Sequence, residues 1–251
     1  MALNWILSAL LLTAGVRHEA VEPHLGTLVR VVWEGDPQAA RVAFAEIAAL
    51  DAALSDYRGD SEINRACREP GFELSETTAA VLRAALAIAE ETEGAFDPTL
   101  AALTRHRPDA PVNWGWRKVR LNGRRIWTNG VCFDLGGIAK GFAAQRAIEA
   151  LRRAGVSRAM VAIGGDICAG DGQWRIGAQS RAFVLTNACI STSGDESQPG
   201  HIFDPRTGKR VRREGSVTVI SHNGARADTL ATFHYLTSPP GTVVDERRKS
   251  R

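Results

Sequence analysis

The sequence has no apolar run long enough to cross a bilayer, no Cys-x-x-Cys pair, no internal repeat, no low-complexity segment, and a net charge of only +3. Each absence removes a class of function. The run from Trp5 to Leu12 falls well short of the roughly 20 residues a spanning helix needs. Much of the small basic excess sits in the closing stretch Glu246 to Arg251, which leaves no footprint for nucleic acid. The cysteines, Cys67, Cys132, Cys168 and Cys189, lack metal-ligand spacing. Cys132 and Cys189 lie inside apolar, strand-like runs, so buried free thiols are expected, with a single disulfide as the alternative.

What is present is an ordinary globular composition. The 251 residues, 44% apolar and 24% charged, can bury a substantial core as one large domain or two small ones. Residues 1–20 read as an export segment, because Trp5 to Leu12 has the length of a secretory apolar core and small residues Ala14 and Gly15 follow it. No Lys or Arg precedes that run, so an uncleaved apolar N-terminus is the competing reading. Residues 21–237 are expected to be the folded unit and 238–251 a disordered tail.

Periodicity predicts a strand from Leu25 to Trp33 and a helix from Asp36-Pro37 to about Leu54, with Val42, Ile47 and Leu50 on its apolar face. A second helix is predicted over Ser75 to Glu93, capped by Ser75 or Thr78, with Val81, Leu82, Ala85, Ile88 and Ala89 inward. Asn122-Gly123 predicts a type I′ hairpin between Lys118–Leu121 and Arg124–Trp127. Later strands are expected at 159–163, 183–185, 188–191 and 216–220, with a last helix from Ala225 to Leu236. Strands and helices mix without strict alternation, which makes the fold class α+β: two mixed sheets with flanking helices in one compact unit.

The most informative stretch is Asp134 to Gln145, DLGGIAKGFAAQ. It reads as a strand, Val131 to Leu135, passing through Gly136-Gly137 into a helix that starts near Ile138. A glycine pair there lets backbone N–H groups approach a ligand, and the positive end of the helix favours an anion such as a pyrophosphate. Lys140 would be a misplaced cation in the first helical turn unless something negative lies beside it, which points to a bound phosphate. Farther on, ADTLAT places Asp228 and Thr232 one turn apart on one helical face, where both oxygens can serve one hard cation; a capping Asp and a back-bonded Thr are the plain alternative.

DLGGIAKG resembles the central motif of the ApbE-like flavin transferases, and LGT at 25–27, the SEIN loop at 61–64, GAFDPT at 94–99, GGDI at 164–167, TSGD at 192–195 and HIFDPRTG at 201–208 resemble that family in the same order. The resemblance implies an ApbE-like, T-fold-like α+β unit over residues 24 to 236. It implies FAD contacts at Leu25, Tyr57, Asn64, Ala95, Phe96, Asp97, Asp134, Lys140, Thr192, Ser193 and Gly194. Tyr57 would stack on a ring and Asn64 would hydrogen-bond the cofactor. It implies Mg2+ held by Asp228, Thr232 and the Gly137 carbonyl. Gln145 stands where an acidic residue is common, and the loop at 104–117 is short for the family.

The implied activity is transfer of FMN from FAD to a Thr or Ser of a partner protein with AMP leaving, at His201 as proton-transfer group with Asp204 orienting it. The implied acceptors are periplasm-facing subunits of membrane electron-transfer complexes. Two other functions compete: an FAD pyrophosphatase, with water in place of the acceptor hydroxyl, and a non-catalytic flavin-binding protein.

Overall fold

The computed structural model describes residues 16–104, 113–194 and 200–248. The apolar run at 5–12, most of the central loop at 104–117 and Asp195 lie outside them. The elements in chain order are β1 (Arg17–His24), β2 (Thr27–Glu34), α1 (Ala40–Leu54), α2 (Glu62–Arg68), β3 (Phe72–Glu73), α3 (Glu76–Glu91), α4 (Ala101–Thr104), β4 (Arg120–Asn122), β5 (Arg125–Trp127) and α5 (Ala139–Arg153). There follow β6 (Ala159–Ile163), β7 (Asp166–Ala169), β8 (Trp174–Ala178), β9 (Arg181–Leu185), β10 (Ala188–Gly194), β11 (Phe203–Asp204), β12 (Lys209–Arg210), β13 (Ser216–Ser221), α6 (Gly224–Thr237) and β14 (Val243–Asp245).

A seven-stranded mixed sheet in the order β1-β2-β6-β7-β10-β13-β14 organises the molecule. Its pairs are antiparallel except β13 with β14. Side chains alternate between its faces, as a pleated strand requires. Val29, Val31, Trp33, Val161, Ile163, Cys168, Cys189 and Val219 join the helices α1, α5 and α6 in the main core. Val32, Met160, Ala169, Ile190 and Ile220 face the other way, under Trp174 and Ile176 of the β8–β9 hairpin. The α+β class holds as one compact unit. In place of a second large mixed sheet there is the small β3-β5-β4 sheet and two hairpins.

Several local expectations change. Helix α1 buries Ala40, Ala43, Phe44, Ile47, Leu50 and Leu54, as expected for Ile47 and Leu50, whereas Val42, five residues before Ile47 and so off that stripe, is 39% exposed. The β1–β2 hairpin makes Leu25 a turn residue at φ 51° where a strand start was expected. The 120–127 hairpin pairs Asn122 with Arg125, so its two turn residues are Gly123 and Arg124. Positive φ occurs at Gly123 alone of these two, the II′ pattern in place of I′. Residues 131–135 make only an isolated bridge from Cys132 to Leu100, and the Asp134 N–H donates to the Pro98 carbonyl at 2.8 Å. The segment is buried at Val131, Phe133 and Leu135 but has no ladder partner, so it is not a strand.

The segment read as a disordered tail is ordered as far as Arg248. Strand β14 extends the sheet beside β13, and Arg226 of α6 donates from Nε to Glu246 at 2.6 Å and bidentately to Glu91 of α3. Cysteines depart from expectation as well. Cys168 and Cys189, directly opposite in the β7–β10 register, form a disulfide, and Cys67 and Cys132 stand outside it.

Candidate active site

The N-terminal turn of α5 is where the predicted motif becomes geometry. Asp134 Oδ1 accepts the Gly136 N–H at 2.8 Å, and the Ala139 N–H donates to the Leu135 carbonyl at 2.8 Å, which turns the chain from the buried segment into the helix. Lys140 donates to the Gly136 carbonyl at 2.8 Å and lies 3.3 Å from Asp166 and 3.7 Å from Asp228. The negative partner that its helical position demands is therefore the protein's own pair of carboxylates. The phosphate inferred for it from sequence loses that warrant.

Asp166 reaches the cluster because it precedes Cys168 by two residues on β7 and so shares the helix-facing side of the sheet. Asp228 comes from α6 and accepts the Gly141 N–H at 3.0 Å, one of the donors that a helix start leaves unpaired. Both carboxylates are buried. Burial, then the neighbouring charge of Asp166, pushes the Asp228 carboxyl up to about 7 against the opposing pull of Lys140. Burial works against the Lys140 charge, yet Asp166 and Asp228 outweigh it and hold the ammonium above the usual lysine range.

Helices α5 and α6 cross at glycines. A Cβ on Gly141 would lie 2.2 Å from the Gly224 carbonyl oxygen, and one on Gly224 would lie 2.2 Å from the Gly141 carbonyl oxygen. Only two glycines let the backbones approach this far, and that approach carries Asp228 onto the α5 terminus. One turn along α6, Thr232 Oγ1 lies 3.2 Å from where a Gly137 Cβ would stand and 3.3 Å from Ser193 Oγ. Gly137, Asp228 and Thr232 are thus gathered where α5 begins.

This arrangement fits a hard divalent cation. Two buried carboxylates face one ammonium, so the set is net negative once both are ionised, and the Thr232 hydroxyl supplies the kind of neutral oxygen such cations accept. Ser191 Oγ, paired in register with Asp166, is buried without a hydrogen-bond partner. Among the described residues no three His, Cys, Asp or Glu side chains gather as a metal cluster, so a cation here would need carbonyl and hydroxyl oxygens beside the carboxylates.

The other predicted residues divide. Leu25 is held by its N–H, which donates to Asp51 at 3.0 Å, at the end of the sheet where Thr27 approaches Gly164. Phe96 lies against Gly137, within 3.4 Å of an added Cβ, and its neighbour Ala95 is buried too. Tyr57 is 93% exposed on its loop. Asn64 does not offer its amide N–H groups outward: they donate to the Asp56 carbonyl at 2.9 Å and the Arg58 carbonyl at 2.7 Å, so Asn64 shapes the Tyr57 loop. Asp97 is similarly spent inside, accepting from Thr99 N at 2.8 Å, Thr99 Oγ1 at 2.6 Å and Trp116 N at 3.0 Å.

Thr192 follows Ile190 by two residues and faces the β8–β9 side, where its hydroxyl meets Thr218 Oγ1 at 2.9 Å; Ser193 alone of TSG turns a hydroxyl to the cluster. Gly194 permits close strand contact, since a Cβ there would be 2.8 Å from Ser216 Cβ. His201 is exposed just ahead of the β11–β12 hairpin. Asp204 engages both oxygens with Arg206, at 2.9 Å each, and this holds its carboxyl below the usual range. The ionised Asp204 carboxylate also accepts the Arg206 N–H at 2.9 Å and so braces its own turn.

The ApbE family model matches residues 25–244. The chain belongs to the ApbE family. A Vibrio cholerae protein named FAD:protein FMN transferase is 31% identical, over 91% of this chain and 86% of that one, and a Treponema pallidum protein of the same name is 28% identical over 83% and 75%. Among solved structures, the ApbE protein from Thermotoga maritima superposes with a TM-score of 0.80 at 28% identity, over 89% of this chain and 87% of that one. The flavin transferase ApbE from Vibrio cholerae gives 0.77 at 26%, over 88% and 87%.

Within this ApbE chain, sequence reasoning missed Asp166 and Gly141. Asp166 was visible only as part of GGDI; its role needed the register that sets it opposite Ser191 and under Lys140. Gly141 looked like one more glycine of an N-terminal turn, whereas its function is to admit Gly224. Gln145, where an acidic residue is common, accepts the Gly224 N–H at 2.7 Å through Oε1 and so supports the same crossing without a charge.

Proposed function

We infer that this chain is an FAD:protein FMN transferase, which cleaves the FAD pyrophosphate and joins FMN through its phosphate to a Thr or Ser hydroxyl of a partner protein, releasing AMP. The observation that carries the reading is the buried Lys140–Asp166–Asp228 cluster at the α5 terminus, with Gly137 and Thr232 beside it, in a chain matched to the family over almost all its described length. In the reaction the acceptor oxygen attacks the FMN phosphorus, the bond from that phosphorus to the bridging oxygen breaks, AMP takes the electron pair, and the hydroxyl proton passes to a base. Such transfers need positioning and charge neutralisation more than covalent help.

Mg2+, held by Asp228, Thr232 and the Gly137 carbonyl, would supply that neutralisation on the pyrophosphate when bound. The chain's own contribution begins with Asp228, kept at the helix terminus by the Gly141 N–H and by Lys140. Lys140, 3.3 Å from Asp166 and 3.7 Å from Asp228, balances the two carboxylates at that terminus. His201 is our candidate for the acceptor proton, because an imidazole is the side chain most suited to proton transfer near neutrality and this one is reachable by an incoming hydroxyl. We assign Tyr57, exposed on its braced loop, to stacking on a ring of FAD.

We place the protein in an exported, periplasmic setting with a flavinylated subunit of a membrane electron-transfer complex as acceptor. The Cys168–Cys189 disulfide and the apolar run at 5–12 support export. No helix among the described residues is long and apolar enough to cross a membrane. The functional test incubates the protein with FAD, Mg2+ and a candidate acceptor domain. Covalently fluorescent acceptor supports transfer, free FMN indicates a pyrophosphatase, and unchanged FAD indicates a binding protein.

A further inference from the structure

The end of the central loop ties two of the motif loops together. On one side the Gly115 N–H donates to Thr99 Oγ1 at 2.8 Å and the Trp116 N–H to Asp97 at 3.0 Å, which fixes this backbone to the 94–99 loop. On the other side Trp114 donates from Nε1 to the Pro205 carbonyl at 2.9 Å, across 91 positions of sequence. Its ring lies against Gly208, where an added Cβ would be 3.0 Å from Cη2 and 3.2 Å from Cζ2. Gly208 also has a φ of 66°, so the one residue serves both the turn and the contact. Pro205 and Gly208 are the first and last residues between β11 and β12, and a single indole meets both.

That hairpin needs an external hold. Strands of two residues each are too short to keep an orientation by themselves. Its base is anchored through Ile202, which packs with Val217 and Tyr235 and whose carbonyl accepts the Val211 N–H at 2.8 Å. Its turn is held by Trp114. His201 directly precedes Ile202, so a tilt of the hairpin about that base carries the imidazole with it. The far end of the connection reaches the cation turn, because Phe96 of the same 94–99 loop lies 3.4 Å from where a Gly137 Cβ would stand.

We propose that Trp114 is a positioning residue: it docks the hairpin that follows His201 onto the loop that carries Phe96, Asp97 and Thr99, and so sets the place of the imidazole relative to the Gly137 turn. The effect on rate rests on the reading of His201 as the proton-transfer group, whereas the docking itself does not. Misplacement of a reacting group by about 1 Å is enough to slow a reaction by roughly 100-fold, so a side chain that touches neither FAD nor acceptor can still govern turnover.

The test compares the full chain with Trp114→Ala, which removes both contacts, and Trp114→Phe, which keeps an aromatic ring and loses the hydrogen bond. Hydrogen exchange read by mass spectrometry should quicken over residues 201–211 by about 10-fold or more in Trp114→Ala and by less in Trp114→Phe, while α3 exchanges as in the parent. Turnover of FAD should fall by roughly 10- to 100-fold in Trp114→Ala with KM little changed, and adding Trp114→Ala to His201→Ala should lower the rate no further. Unchanged exchange over 201–211, or a rise shared by α3 in both variants, would overturn the docking role. A loosened hairpin with a further loss of rate in the double variant would overturn the action through His201. Should His201→Ala turn over FAD at the parent rate while Trp114→Ala loosens the hairpin, the docking stands and it is the assignment of His201 that fails.

Discussion

Asp228 carries more of the site than any other side chain, because it meets the α5 terminus, Lys140 and the proposed cation at once. Replacing it with Ala removes the anionic ligand that a hard cation needs most, while Asp166 still answers Lys140. We expect Asp228→Ala to lose metal-dependent FAD cleavage by at least about 100-fold with the melting curve nearly intact, and Thr232→Ala to lose less. Steady-state assays across a Mg2+ series, paired with thermal melts, check this; equal rates for Asp228→Ala and the parent at saturating Mg2+ would refute the assignment. His201→Ala should separate chemistry from binding, with turnover lower by roughly two to four orders of magnitude and FAD affinity little changed. If affinity and melting temperature fall with the rate, His201 is structural. Asp204 makes a different forecast. Arg206 depresses its folded-state pKa, so the pair contributes stability above the unfolded carboxylate value, about 3.9, and loses it as pH falls through the lower folded value. Melts of Asp204→Asn should therefore lie below the parent at neutral pH and converge with it in acid. These roles were unevenly legible. That Lys140 needs a negative neighbour was legible from its helical position, but the phosphate expected there gives way to Asp166 and Asp228, which sequence distance hid, and the internal bonds of Asn64 and Asp97 exist only in the folded loops.

Elements were easier to read than contacts between them. Helix α3 falls where its apolar period and Ser75 cap put it, with Ser75 Oγ accepting the Thr78 N–H at 3.2 Å, because both signals are local. Val131 to Leu135 was misread as a strand because an apolar run cannot show whether a ladder partner exists. The α5–α6 crossing was invisible for the same reason. Gly141→Ala tests it: the added methyl meets the Gly224 carbonyl oxygen, so the helices must separate. We expect a loss of about 3 kcal/mol in urea unfolding and a parallel loss of FAD cleavage as Asp228 is drawn away. A variant of parent stability would show that the crossing tolerates a side chain.

At the scale of the molecule, one sheet supports helices on one face and the β8–β9 hairpin on the other, and its C-terminal strand is pinned through Arg226 between Glu91 and Glu246. Deleting residues 239–251 should lower the melting temperature by roughly 5–10 °C, since it strips an edge strand from β13 and leaves part of the Arg226 charge unanswered. The composition of that segment reads as a polar tail; only its pairing with β13 makes it structure. Function of the whole chain comes down to where the FMN phosphate goes. The most direct measurement incubates the protein with FAD, Mg2+ and a Thr- or Ser-bearing acceptor domain, then follows flavin fluorescence on the denatured acceptor together with AMP. Fluorescent acceptor with an equal amount of AMP, abolished by a chelator and by Asp228→Ala, is the predicted result; FMN released with the acceptor unlabelled, or FAD recovered intact, would contradict it.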